Sequence, residues 1–235
     1  MGRVRATAVA VLPAVLAAAV YAALWLGQRQ GWVWLTAVDS SSLQVLHDVG
    51  IKHPLWVRCW NVVCIVISPT TFRLLGVAAV LIAVCKRRLR AVLFLLVSIQ
   101  SSELITWSAK RLAGRPRPRT ALVHASASSF PSGHALAATV GVLALLTVLV
   151  PMASRSVGVV AAVVGGLTVL AVGFGRVALN VHHPSDVVAG WALGYLYFAL
   201  CARLSGVSGS GRRRRQPGDR GQGCGGLRPV CPPRA

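Results

Sequence analysis

The chain has 235 residues, 55% of them hydrophobic and only 13% charged, where soluble domains carry about 25% charged residues. With a mean hydropathy of +0.65 and several apolar runs near the roughly 17 to 25 residues that cross a bilayer, this composition excludes an ordinary soluble enzyme. Lys and Arg number 25 against 5 Asp and Glu, a formal charge of +20; the excess flanks apolar runs as in membrane proteins, so no nucleic-acid partner is expected.

The first apolar run, residues 8 to 26, follows Arg3 and Arg5 and ends near Trp25, Trp32 and Trp34. Its length favours a retained helix over a cleaved leader, with the tryptophans as an interfacial belt. Residues 39 to 50 predict a short capped helix with Asp39 or a following serine at its start, Leu43 and Leu46 on one face and Gly50 as its stop. Residues 54 to 68 are apolar but short, and Arg58 and Asn61 interrupt them, which predicts an interfacial or re-entrant helix. Five further spans are expected at 69 to 85, 90 to 108, 134 to 150, 157 to 174 and 186 to 203. Residues 1 to 204 thus form one all-α, six-span membrane domain. From 205 to 235 the chain is rich in Gly, Pro and Arg, has little to bury, and is expected to be a disordered tail.

Charge counting places both termini in the cytoplasm. Arg3, Arg5, Lys86, Arg87, Arg88, Arg90, Arg155 and the tail arginines then share the inner face. The basic group at 110 to 119 and Arg176 fall on the opposite face and break the bias unless they have another task. The six cysteines lack C-x-x-C spacing, so neither a zinc site nor a disulfide framework is expected.

Three polar clusters stand out: KRLAGRPRP at 110 to 118, PSGH at 131 to 134 and GRVALNVHHPSD at 175 to 186. The first two share one loop and the third lies two crossings later, so all three meet on one face. Singly each has an ordinary reading. The basic group suits lipid headgroups, Ser132 suits a helix N-cap, and Pro184 suits the start of the last helix. Jointly, two histidines, a carboxylate and fixed cations on one face point to phosphate chemistry. Phosphate-ester cleavage needs a nucleophile, an acid for the leaving oxygen and positive charge around the transition state. Lys110, Arg117 and Arg176 supply cations, and Ser132 with the Gly133 N–H at a helix N-terminus adds an anion site.

These residues resemble the type-2 phosphatidic acid phosphatase superfamily, the lipid phosphate phosphatases and their vanadium haloperoxidase-like relatives. The pattern K-x6-R-P matches Lys110 with Arg117 and Pro118; P-S-G-H matches Pro131, Ser132, Gly133 and His134; S-R-x5-H-x3-D matches Arg176, His182 and Asp186, with Gly175 in place of the serine. The resemblance implies that His182 attacks phosphorus and forms a phosphohistidine, that Asp186 orients its imidazole, and that His134 protonates the leaving oxygen and then activates water. His183 is the neighbour most easily mistaken for the nucleophile, and the spacing to Asp186 selects His182. No metal or other cofactor is expected, because Asp186 is the only carboxylate within the motifs and two-metal phosphatases use carboxylate-rich sites. Glu103, two helical turns before Lys110, is a candidate to position it, with an intramembrane pairing to another polar group as the alternative.

The resemblance implies a lipid or isoprenoid phosphate as substrate: phosphatidic acid, phosphatidylglycerol phosphate or undecaprenyl diphosphate. The richness in Arg, Ala, Val and Gly suits a bacterial plasma membrane, with the site on the outer face. A lipid phosphotransferase using the same triad and a non-enzymatic cationic module binding anionic lipid are the competing readings; a haloperoxidase fits poorly with a compact six-span chain.

Overall fold

The computed structural model describes residues 2–206, with side chains from Val11 onward. Nine α-helices run in chain order, with no strand among the described residues: α1 (Gly2–Gln30), α2 (Val33–Lys52), α3 (Pro54–Val66), α4 (Pro69–Cys85), α5 (Leu89–Leu95), α6 (Ser102–Ala113), α7 (Gly133–Leu149), α8 (Arg155–Ala178) and α9 (Pro184–Ser205). A π-helical turn, Leu96–Gln100, joins α5 to α6. Six stretches are long and apolar enough to cross a membrane: Val11–Gln30, Pro54–Cys85, Leu89–Ala113, Gly133–Met152, Arg155–Ala178 and Pro184–Ser205. The chain is a multi-pass membrane protein.

Local chemistry sets the helix ends. Ser68 opens α4 by accepting a hydrogen bond from the Thr71 N–H at 3.2 Å, with Pro69 behind it. Ser154 opens α8 in the same way through Val157. α6 stops at Gly114, whose φ of +62° is a left-handed cap that other residues adopt at a cost.

α7 is the central post. It packs against α4, α6, α8 and α9 and buries an unbroken run from Ala135 to Gly141, as a helix apolar on every side should. α9 lies closest to it. A Cβ added at Gly190 would stand 2.6 Å from the Ser132 carbonyl oxygen, and one at Gly194 would stand 2.9 Å from that of Leu136. Two glycines one helical turn apart thus let the helix backbones touch, the usual device where lipid supplies no hydrophobic drive. At the end away from α2 and α3, Phe94, Leu95, Ile99 and Val148 form the main apolar cluster. On the outside, Leu16, Leu81, Val160 and Leu167 are exposed, as lipid-facing side chains are.

Two expectations change. Residues 39 to 50 are not a separate capped helix: α2 begins at Val33, and Asp39 lies inside it, 2% exposed. An acid inside a buried helix face and one at a helix start look alike in sequence; the difference is a partner 76 residues away. Residues 54 to 68 form α3, which breaks at Ile67 and Ser68 and continues into α4, so the second crossing stretch runs from Pro54 to Cys85. α3 packs on α2 and α8, with Trp60 against Phe174 at a centroid distance of 4.9 Å. The basic tail and the disorder expected for it lie outside the described residues.

Candidate active site

The loop after α6, the start of α7, the end of α8 and the start of α9 come together at one end of the bundle, walled by α3 and the start of α4. They enclose a cavity of about 490 Å³ lined by Lys110, Arg117, Gly133, His134, Arg176 and His182, with Cys64, Asn61 and Ser68 opposite. Six of the eight expected site residues therefore face one space. Ser132 and Asp186 lie immediately behind it, both fully buried.

His182 is 1% exposed. Its Nε2 is 3.3 Å from Arg117 Nη1, and its Nδ1 is 3.6 Å from Asp186 Oδ2. An arginine only donates, so Nε2 presents its lone pair to Arg117 and the ring proton belongs on Nδ1, facing the carboxylate. Burial, and then the charges of Arg176 and Arg117, lower the His182 pKa from 6.5 to about 3, with Asp186 pulling the other way. The imidazole is neutral, and Nε2 lies at the cavity wall with its lone pair accepting from Arg117.

His183 is fixed differently. Its backbone N–H donates to Asp186 Oδ2 at 2.8 Å, and its Nδ1 lies 3.1 Å from the same oxygen. It is the N-cap of α9, in a capping box with Asp186, and it does not line the cavity.

The cations are held by backbone oxygens rather than by acids. Arg117 donates through Nε to Ala127 O at 3.0 Å, through Nη2 to Ser126 O at 2.7 Å and through Nη1 to Val181 O at 2.7 Å. Lys110 Nζ donates to Ser128 O. Arg176, in the last turn of α8, leaves its Nε buried and without a partner. Burial and the neighbouring Arg176 lower the pKa of Arg117, the sign of cations crowded without a counter-ion. Ser132 Oγ is also buried and unpartnered; it begins α7 but makes no side-chain cap, so the ordinary N-cap reading does not account for it. Buried donors without acceptors are costly, and a bound phosphate would satisfy Arg176 and relieve the crowding.

Glu103 pairs with Arg73 at 2.5 Å on the exposed side of the bundle, the alternative to positioning Lys110, whose Nζ donates to Ser128 O instead. Gly175, where the motif has serine, has a steric cause. A Cβ there would meet Cys64 Sγ at 2.8 Å and Trp60 Cε3 at 2.9 Å, so the α3 wall occupies the space a side chain would need. Among the described residues, no three His, Cys, Asp or Glu side chains are grouped as metal ligands.

Three residues of this end escaped the sequence reading: Asp39, Ser185 and the role of Arg115. Arg115 stands among other basic residues and its partner Asp39 in another helix, so spacing carried no signal for either. Of that basic group, Arg111 instead stacks over Trp107 at 3.9 Å.

Comparison with known proteins bears on the family and the fold. The chain is 38% identical over 112 residues to phosphatidylglycerophosphatase B of Bacillus subtilis (strain 168), a match that covers 46% of this chain and 55% of that relative; the matched region is thus only about half the relative's length. The fold matches a crystal structure of a transmembrane PAP2 type phosphatidylglycerolphosphate phosphatase from Bacillus subtilis with a TM-score of 0.68 and 24% identity, covering 84% of this chain and 96% of that one. The PAP2 superfamily model matches residues 91–209, which include all three motifs, and the chain belongs to the PAP2 superfamily.

Proposed function

We propose that the chain is a lipid phosphate phosphatase that works through a phosphohistidine and needs no metal. The observation that carries this reading is the neutral His182 Nε2, aimed into a cavity ringed by Lys110, Arg117 and Arg176 with no acid lining it. The cations hold the phosphate oxygens and take up charge as it builds in the transition state. His182 Nε2 attacks phosphorus and the ester P–O bond breaks. His134 gives its proton to the leaving oxygen. Asp186 stabilises the positive imidazole of the phosphohistidine. His134, now neutral, takes a proton from water, which attacks phosphorus, breaks the P–N bond and releases inorganic phosphate.

The break between α3 and α4 supports a lipid substrate. Ile65 and Ser68 line the catalytic cavity, whereas the intervening Val66 and Ile67 line an apolar groove of about 540 Å³ that runs between α4, α7 and α8 past Phe72, Leu146 and Gly158. A phosphate in the cavity therefore places an acyl or prenyl chain beside this groove. The name of the Bacillus relative favours phosphatidylglycerol phosphate among the candidate lipids. Charge counting supports termini in the cytoplasm and a site on the outer face of a plasma membrane: Lys86, Arg87 and Arg88 lie between α4 and α5 and Arg90 in the first turn of α5, at the opposite end of α4 from the cavity.

The test is phosphate release by purified protein in detergent with EDTA, from phosphatidylglycerol phosphate, phosphatidic acid and undecaprenyl diphosphate. Wild-type release that falls by about three orders of magnitude or more in folded His182→Ala supports the reading. Equal release by both proteins, or activity abolished by EDTA and restored by magnesium, refutes the mechanism. A phosphorylated product that appears only with an added alcohol would make the chain a transferase.

A further inference from the structure

Asp186 uses its two oxygens for different tasks. Oδ2 faces His182 and His183, and Oδ1 accepts from Arg115 Nη1 at 2.7 Å. The same Nη1 donates to Ser185 Oγ at 2.8 Å, and Nη2 donates to Asp39 Oδ2 at 2.8 Å. Asp39 in turn accepts from the Ser185 backbone N–H at 3.0 Å and from Ser185 Oγ at 2.6 Å. One knot thus ties α2, the loop after α6 and the first turn of α9 to the carboxylate behind His182.

Asp39 and Asp186 are almost wholly buried. Burying ions is costly unless each is paired and its hydrogen bonds are met, so a chain with only five acids places two of them here for a specific return. None of Asp39, Arg115 or Ser185 lines the catalytic cavity; Asp39 and Arg115 border a separate pocket with His183, and their link to His182 runs through Asp186. A single arginine beside Asp186 would fix the carboxylate but cancel its charge. A second carboxylate on the far side of that arginine leaves one net negative charge in the group, directed at an imidazole that must become positive.

We propose that Asp39 is a positioning residue for the reaction: through Arg115 and Ser185 it fixes Asp186 against His182 and offsets the arginine, so that the carboxylate keeps its pull on the imidazole as the phosphohistidine forms. This rests on the histidine phosphatase reading above. It assigns kinetic weight to a residue of α2 outside the three motifs.

The experiment compares wild type, Asp39→Asn, Asp39→Asn with Arg115→Gln, and His182→Ala by steady-state phosphate release from phosphatidylglycerol phosphate across pH. The titratable and charged groups around His182 are Asp186 and His183 at the start of α9, Arg176 from α8, His134 from α7, Lys110 from α6, Cys64 from α3, and Arg117 and His124 from the loop; all are unchanged in Asp39→Asn, and the double variant changes only Arg115 besides. Asp39→Asn is expected to lower kcat by about 10- to 100-fold, the range for residues that orient a reacting group from behind, with KM within about twofold. Removing a negative charge also lowers the pKa of His182, so the acid limb of kcat/KM moves to lower pH. The double variant removes one charge of each sign; its acid limb returns toward wild type while kcat stays low.

A folded Asp39→Asn protein with wild-type kcat, with its loss in KM alone, or with an unmoved acid limb overturns the proposal while inactive His182→Ala leaves the histidine mechanism standing. Active His182→Ala overturns both. If Asp39→Asn does not fold, Ser185→Ala carries the test: it changes no charge, and a kcat loss of about threefold or more without movement of the limb is expected, whereas unchanged kcat overturns the proposal.

Discussion

Gly190→Ala adds one methyl group where α9 crosses the start of α7. The new Cβ would stand 2.6 Å from the Ser132 carbonyl oxygen, 3.0 Å from Ala135 Cβ and 3.4 Å from Leu136 N. Two of these three atoms are backbone, so no rotamer change relieves the clash. Opening 2.6 Å to the 3.4 Å of ordinary contact moves the first turn of α7 against α9 by about 0.8 Å. That turn carries Ser132, Gly133 and His134, while α9 carries Asp186, whose backbone oxygen accepts from the Ser132 N–H at 2.9 Å. The shift therefore falls between the first turn of α7 and Asp186, which stands behind the proposed nucleophile His182. Overpacking of this kind costs about 1 to 3 kcal/mol of stability, and a misplacement near 1 Å in a reacting site costs about 100-fold in rate. The expected result is a folded, less heat-stable protein whose kcat for lipid phosphate hydrolysis falls by about 10- to 100-fold. Gly166→Ala is the control: a Cβ there meets nothing within 4 Å, so it should keep wild-type kcat and stability. Wild-type kcat in Gly190→Ala would refute the claim that close approach of α7 and α9 sets the site's geometry.

The remaining predictions use other parts of the molecule. Because His182 is neutral down to a pKa of about 3, the acid limb of kcat/KM that belongs to this group should lie well below pH 6.5, as a pH–rate profile would show. The same shift acts on stability. The unfolded chain binds this proton near the ordinary value of 6.5, so the contribution is full above that pH and is lost as pH falls toward 3, measurable as a falling unfolding temperature in detergent. Gly175→Ser should lower the unfolding temperature because Cys64 and Trp60 fill the space, and Cys64→Ala in the same chain should recover part of the loss. Ala161→Trp, which narrows the groove between α4, α7 and α8, should cut kcat/KM for a long-chain lipid phosphate by about tenfold while leaving a water-soluble phosphate ester unaffected; equal loss on both would deny the groove a role in chain binding.

Most of the crossing helices were legible because they are long apolar runs, and the candidate site was legible because its groups keep fixed spacing around two loops. Lys110 and Arg117, or His182 and Asp186, are near neighbours in sequence, and all of them reach one end of the bundle. Legibility failed where a contact joins distant segments. Asp39 reads as a local cap, since nothing within ten residues of it shows that its partners are Arg115 and Ser185. Glu103 sits at helical spacing from Lys110, yet Arg73 from α4 reaches it first. The continuation of α3 into α4 was hidden for another reason: Pro69 after Ser68 is as good a helix start as a chain can write, and it marks a break within a helix pair rather than the edge of a span.

The placement of the charges follows from the antiparallel bundle itself. Consecutive crossings run in opposite directions, so one end of the bundle collects helix C-termini and N-termini in alternation. Here the C-terminal turns of α6 and α8 carry Lys110 and Arg176, and the N-termini of α7 and α9 carry Gly133 and Asp186. Helix C-termini favour cations and N-termini favour anions, each by about 0.3 to 1 kcal/mol at exposed sites and up to about 2 kcal/mol where partly buried. Lys110, Arg176 and Asp186 therefore each lie at the end of a helix whose dipole tolerates the charge, while Arg117 comes from the loop. The anion favoured at α9 is supplied by the chain as Asp186, but at α7 the chain supplies no carboxylate, only the buried hydroxyl of Ser132 and the N–H of Gly133. Three cations face that N-terminus with no acid in the cavity. The topology thus builds a position for one more negative group, and under the proposed function a lipid phosphate takes that position.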